Sequence, residues 1–237
     1  MIAFVQTDKS IVTEDLTARS LAMFRELISS GEIRPGERLP PERELAQRFG
    51  VSRSSLRPVM KVLETVGAIS QRVGDGSYLS ADGGSLLELP LSLLILLDGV
   101  SLVELFEARL MIEPELAARA AECASSEDLA DMRRTFPAME TDPVNADIAF
   151  HEAVCKATRN RVCYRMFGAI HQAFRRGMVV TSRLAPSRAL DFHKEIYSAI
   201  HLRNPEEARS KMAEHLKHAT TLLMHACLDG QLSEGPK

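Results

Sequence analysis

Apolar residues at Leu21, Phe24, Leu27 and Ile28 recur at helical spacing, which predicts a helix from about Leu16 to Ser30 that Gly31 stops. Residues 1–13 read as a loose tail. After the turn Arg34-Pro35-Gly36-Glu37, a short helix opens near Pro41, whose missing N–H costs nothing in a first turn, and Gly50 ends it. Val51-Ser52 makes a tight connection to a third helix with Ser52 as its N-cap. Leu56, Val59, Leu63 and Val66 form the buried stripe of that helix, and Gly67 terminates it. Two short strands come next, Ala68–Val73 and Ser77–Ser80, joined by the tight-turn signal Gly74-Asp75-Gly76. A helix, a helix-turn-helix and a β-hairpin, in that order, make a winged helix-turn-helix.

Beyond the polar stretch at 81–85 the pattern is helical throughout, over about 86–98, 102–122, 126–139, 143–158, 161–183, 187–202 and 205–229. Asp142-Pro143 and Asn204-Pro205-Glu206-Glu207 each place a capping side chain before a first-turn proline, and the second adds acids where the helix dipole favours them. The fold class expected is therefore mainly α, with a winged helix-turn-helix over 10–80, a linker at 81–85 and an all-α bundle of six or seven helices over 86–230. Aromatic residues make up only 5 % of the chain, with no tryptophan, so the core must be mostly aliphatic, which suits packed helices. The longest apolar stretch, Leu86 to Leu97, is broken by Glu88 and Pro90 and is too short to span a bilayer. The start MIAFVQTDKS has neither a basic nor an apolar region of a signal peptide, and Cys123, Cys155, Cys163 and Cys227 have no paired spacing. A cytoplasmic protein with reduced thiols and no membrane partner is expected.

Net charge is −3, which taken whole argues against a nucleic-acid binder. The distribution reverses that. Between Arg34 and Arg72, eight Lys/Arg face four Asp/Glu, a local balance of +4 that leaves −7 on the rest of the chain. A basic segment on an acidic body fits one part that meets phosphate and another that does not. A recognition helix presents short polar and cationic side chains at the end that enters the major groove, and Ser52-Arg53-Ser54-Ser55-Leu56-Arg57 does so while Leu56, Val59 and Leu63 face inward. Arginine reads guanine bidentately, and serine contacts phosphate or base edges. An ordinary capped helix with a solvated basic face would look the same from these residues alone.

The longer stretch Pro35-Gly36-Glu37-Arg38-Leu39-Pro40-Pro41-Glu42-Arg43-Glu44-Leu45-Ala46, with Val51-Ser52-Arg53, Leu63-Glu64-Thr65-Val66-Gly67 and the Gly74-Asp75-Gly76 wing, resembles the GntR family of bacterial regulators over about residues 16–80. The resemblance implies DNA contacts from Arg43, Ser52, Arg53, Ser54, Ser55 and Arg57. It puts Gly74 at a wing tip that reaches the minor groove and makes Arg38 a weaker phosphate candidate. Pro58 departs from the family pattern. It removes the hydrogen bond to the Ser54 carbonyl and is expected to bend the recognition helix early.

In the C-terminal half, Asp147 and His151 are four residues apart and share a helix face with Phe150 and Val154. His193 shares a face with Leu190, Tyr197 and Ile200, and His215 with Ala208, Met212, Ala219 and Leu222. One carboxylate and three imidazoles aimed at the apolar side of three helices suit a single divalent transition metal per chain: zinc, nickel or manganese. A hydrogen-bonded polar core is the alternative for any one of them. His218, His225 and His201 lie on polar faces and are expected to be solvated, while His171, among Tyr164, Phe167 and Phe174, is either core or pocket lining.

Residues from about 100 to 225 resemble the FCD domain of the FadR branch of GntR regulators. The segments Glu107-Ala108-Arg109-Leu110-Met111-Ile112-Glu113, Asp147-Ile148-Ala149-Phe150-His151, Asp191-Phe192-His193-Lys194-Glu195-Ile196 and Met212-Ala213-Glu214-His215 carry the likeness. The Asp-x-x-x-His pair with two later histidines is similar to the metal-binding version of that domain. The resemblance implies a metal at Asp147, His151, His193 and His215, a small carboxylate effector on it, and Arg109 reaching that carboxylate. A surface ion pair is the alternative for Arg109. The two resemblances together imply a homodimeric DNA-binding regulator, a repressor reading a palindromic operator, rather than an enzyme. A direct metal sensor and a metal-dependent hydrolase are the competing readings, and no nucleophile or general-base motif supports the hydrolase.

Overall fold

The computed structural model describes residues 9–81, 84–168, 170–171, 179 and 186–228. The chain divides into two compact units, 1–86 and 87–237.

The first unit contains α1 (Lys9–Ser29), α2 (Glu42–Phe49), α3 (Arg53–Thr65), β1 (Ile69–Arg72) and β2 (Gly76–Leu79). Phe24, Leu27, Leu45, Phe49, Leu56, Val59, Ile69 and Leu79 form its core. Phe24 and Phe49 meet edge to face with ring centroids 5.1 Å apart. Residue 50 turns the chain between α2 and α3 in the left-handed conformation (φ 62°), which glycine adopts without the Cβ clash of other residues. The Ser52 side chain then caps α3 by accepting from the Ser55 N–H at 3.1 Å. Strands β1 and β2 pair antiparallel with Ile69 opposite Leu79, and Arg38 adds a bridge to Tyr78. One expectation changes here. The expected loose tail is helical from Lys9, while residues 1–8 lie outside the described residues. No glycine or proline precedes Gly31, and extending an existing helix costs less than nucleating one. Helix α3 runs through Pro58 to Thr65 with Val66 as its C-cap, close to the end expected from Gly67.

In the second unit, α4 (Glu88–Leu97) comes after a 3-10 turn at Gly84–Leu87, so the segment expected as linker is already partly ordered; residues 82–83 lie outside the described residues. Next come α5 (Leu102–Cys123), α6 (Ser126–Arg134), α7 (Pro143–Ala157), α8 (helical over 161–168 and 170–171), α9 (Pro186–His201) and α10 (Pro205–Leu228). Capping boxes at Ser101/Glu104 and Ser125/Asp128 start α5 and α6, and Asp142 caps α7 ahead of Pro143. The helix expected over 126–139 is interrupted: α6 stops at Arg134, and a separate 3-10 turn begins at Pro137, which has no N–H to continue the helical hydrogen-bond ladder. The helix expected over 161–183 lies largely outside the described residues beyond 171. Helix α10 packs along α5, where Ala117, Ala120 and Ala121 let the two approach closely. Phe150 and Val154 of α7, Ile196 and Ile200 of α9, and Met212 and Leu216 of α10 complete this core. Among the described residues no helix is long and apolar enough to cross a membrane.

Candidate nucleic-acid interface and metal centre

Helix α3 presents its first turn to solvent, with Ser52, Arg53, Ser54 and Arg57 exposed and Ser55 half-buried. The Ser52 hydroxyl lies 2.8 Å from both the Ser54 and the Ser55 hydroxyls, so the three serines form one small hydrogen-bonded cluster around the cap. Glu42, at the start of α2, accepts from Arg57 Nε at 3.1 Å and lies 3.9 Å from the Arg53 guanidinium. One carboxylate thus gathers two of the arginines at the helix end while both remain mostly exposed. Arg43 is exposed on α2. At the wing tip Gly74 has φ 76° with open space around it, and Val73 beside it is fully exposed. Arg38, the weaker phosphate candidate, is exposed, donates to the Asp75 carbonyl and lies against Gly76, bracing the hairpin.

In the second unit, Asp147 and His151 sit one turn apart on α7, His193 comes from α9 and His215 from α10, all buried. Each offers one ligand atom, and these atoms lie within 4.8 Å of one another. His151 Nε2 is 3.1 Å from His215 Nε2, and Asp147 Oδ1 is 3.2 Å from His193 Nε2 and 3.8 Å from His151 Nε2. An ion about 2.1 Å from each donor would hold neighbouring donors roughly 3.0–3.4 Å apart, so the set needs little adjustment to surround one. Phe150 stacks on His193 at 4.1 Å and fixes that ring. His193 Nε2, which faces the other donors, is buried with no hydrogen-bond partner among the described residues, an arrangement that a purely hydrogen-bonded core would avoid.

Burial, opposed by Glu113, holds His151 below the ordinary imidazole value. Burial and the neighbouring His193 and His151 push His215 further down. Burial would raise the Asp147 carboxyl, but the His193 ring against it and the nearby His151 and His215 rings outweigh it and hold it well below the usual carboxylate range. An ionised Asp147 beside His151 and His215 rings that resist protonation suits a divalent metal, which needs deprotonated ligands. The same shifts make stability depend on pH. Because His151 and His215 resist protonation when folded, the unfolded chain binds protons first as pH drops below about 6.5. Chelator-treated protein should therefore melt at a lower temperature at pH 5.5 than at pH 7.5, each histidine contributing up to about 1.4 kcal/mol per pH unit. An equal or higher melting temperature at pH 5.5 would contradict buried neutral rings.

Glu113 was not among the expected site residues, yet it is buried against the centre. It pairs with Arg109 one turn earlier on α5 and contacts His151 Nδ1, and His171 Nε2 lies 3.9 Å from its other side. Burial alone would raise its carboxyl; the Arg109 guanidinium and His151 outweigh it and hold it well below the ordinary range. The signal was available in the spacing: Phe106, Arg109, Glu113, Ala117 and Ala120 lie on one stripe of α5, so an acid four residues after Arg109 falls inside the core. Arg109 does form an ion pair, but in the core rather than on the surface. His171 is buried against Phe167 with ring centroids 4.1 Å apart. His201 and His225 are exposed as expected. His218 is not: it is half-buried against Phe192, with Nε2 out of solvent.

A winged helix-turn-helix with an exposed basic recognition helix, joined to an all-helical unit, defines a DNA-binding regulator with two functional parts. Residues 17–79 match the family described as bacterial regulatory proteins, gntR family, and residues 104–218 match the FCD domain. An HTH-type transcriptional regulator of Bacillus subtilis, YcbG, is 33 % identical over 199 residues, covering 81 % of this chain and 82 % of that protein. The putative L-lactate dehydrogenase operon regulatory protein of Escherichia coli is 29 % identical, with 84 % and 83 % covered. The structure of Streptococcus agalactiae GntR superposes with a TM-score of 0.70 at 27 % identity, covering 87 % of this chain and 99 % of that one. The chain belongs to the GntR family, in the FadR-type branch that carries an FCD domain. It is a DNA-binding transcriptional regulator and not an enzyme. Regulators of this family bind DNA operators and typically dimerise.

Proposed function

We propose that the protein is a homodimeric repressor whose operator affinity is set by a small carboxylate bound at a divalent metal in the helical unit. The convergence of Asp147, His151, His193 and His215, buried and within 4.8 Å of one another, carries this reading. Three imidazole nitrogens and one carboxylate oxygen suit zinc, nickel or manganese. When bound, such an ion supplies Lewis-acid positions for an effector's carboxylate oxygens.

Charge selects the ligand class. Arg109 and Glu113 cancel one another, Asp147 supplies one negative charge, and imidazoles that ligate a metal do so without their charge. A divalent ion therefore leaves the buried site at about +1, which a monocarboxylate neutralises. Glu113 meets the Nε of Arg109, and the family resemblance directs the same guanidinium to the effector's carboxylate. The Escherichia coli relative is named for the operon of an L-lactate dehydrogenase, which makes hydroxy acids the first class to test. On DNA, two copies of α3 would read a palindrome through Arg43, Ser52, Arg53, Ser54, Ser55 and Arg57, with Gly74 in the minor groove.

An effector changes DNA affinity only if it binds two arrangements of the dimer unequally. Operator titration of metal-loaded protein with L-lactate, a sugar acid and a dicarboxylate should show one of them shifting affinity by about 5- to 150-fold. Affinity that tracks free metal and ignores every carboxylate would replace this reading with direct metal sensing.

A further inference from the structure

We propose that Glu113 is a positioning residue for the metal: it fixes the tautomer and the ring plane of His151 so that Nε2 faces the ion. This rests on the metal reading above and adds to it a residue outside the four donors.

The two nitrogens of His151 face different groups. Nδ1 lies against Glu113 Oε2, a buried carboxylate that can only accept, so the ring proton belongs on Nδ1. Nε2 is then a bare lone pair, and it points to within 3.1 Å of His215 Nε2, into the space the four donors surround. A rotatable imidazole would lose part of its metal affinity to the wrong tautomer and to free ring orientations. Glu113 is itself held on its other oxygen by Arg109, and α5 carries both at i and i+4. Arg109, Glu113 and His151 thus form a buried chain from α5 to α7 that ends at the metal. The same carboxylate also neutralises Arg109, so a purely structural role must be separated from the positioning role.

Two variants separate them. Glu113→Gln keeps an acceptor for His151 Nδ1–H but strands the Arg109 charge. The double variant Arg109→Leu/Glu113→Leu removes the buried charge pair together and leaves Nδ1 with no acceptor. Zinc affinity is read by competition with a chromophoric chelator, and the His151 tautomer by nitrogen NMR of the metal-free proteins. The double variant should bind zinc about 10–100-fold more weakly with mixed His151 tautomers. Glu113→Gln should bind more tightly than the double variant and keep the Nδ1–H form. The reverse order, or wild-type affinity in the double variant, would reduce Glu113 to a counter-ion for Arg109 while leaving the metal centre standing. Absence of zinc uptake by the wild-type chain would instead remove the metal centre and this role with it.

Discussion

Arg53→Ala should weaken operator binding by about ten- to a hundredfold without changing the melting temperature. Arg53 occupies the first position of α3 and is exposed, and its one described ion pair, to Glu42 at 3.9 Å, is long. Exposed pairs of this kind contribute little to stability, so the folded state should lose little when the side chain is removed. A bidentate arginine–guanine contact, by contrast, is worth about 1–3 kcal/mol of discrimination. Salt dependence separates the modes of contact. Loss of a phosphate contact lowers the slope of log affinity against log salt by about one, whereas loss of a base contact relaxes sequence preference at one position. Unchanged affinity for operator would take the first turn of α3 out of the interface.

The first unit was the more legible half, because its signals are local. Gly50 in the left-handed region, the Ser52 cap and the Gly74-Asp75-Gly76 turn each act within a few residues, and their chemistry dictates where the chain bends. The convergence of the candidate metal donors was legible through helical period: four residues between Asp147 and His151 places both on the face that also buries Phe150 and Val154. Glu113 escaped because an acid within an apolar stripe normally marks the stripe's edge, and only its partner from another helix, His151, makes its burial tolerable. His218 failed for a related reason. It lies three residues beyond His215, about 60° around α10, on the flank of the buried stripe, and Phe192 of α9 covers it. Which neighbour covers a flank is tertiary information that periodicity does not carry. The contact of Arg38 with the Asp75 carbonyl was hidden for the same reason, since nothing local shows that the two segments meet.

Purified protein should contain about one transition metal per chain, and an Asp147→Ala/His193→Ala variant should contain none. The two substitutions remove the sole carboxylate donor and one imidazole, leaving His151 and His215 to hold an ion alone. Two neutral donors cannot satisfy an ion that takes four or more, so the loss should be complete after dialysis. Melting gives an independent reading. A metal at a thousand times its dissociation constant stabilises the folded state by about 4 kcal/mol, and for a chain of this size each kcal/mol raises the melting temperature by roughly 2–4 °C. Wild-type protein should thus melt about 8–16 °C higher with metal than after chelation, while the variant's melting temperature should not respond to metal. The variant also loses the stacking of His193 on Phe150, so its proper reference is the chelated wild type rather than the loaded one. Absence of metal from the wild-type chain, even after reconstitution with zinc, nickel and manganese in turn, would make the four residues a polar core. The carboxylate reading would then lose its anchor, while the DNA-binding half would stand on its own residues.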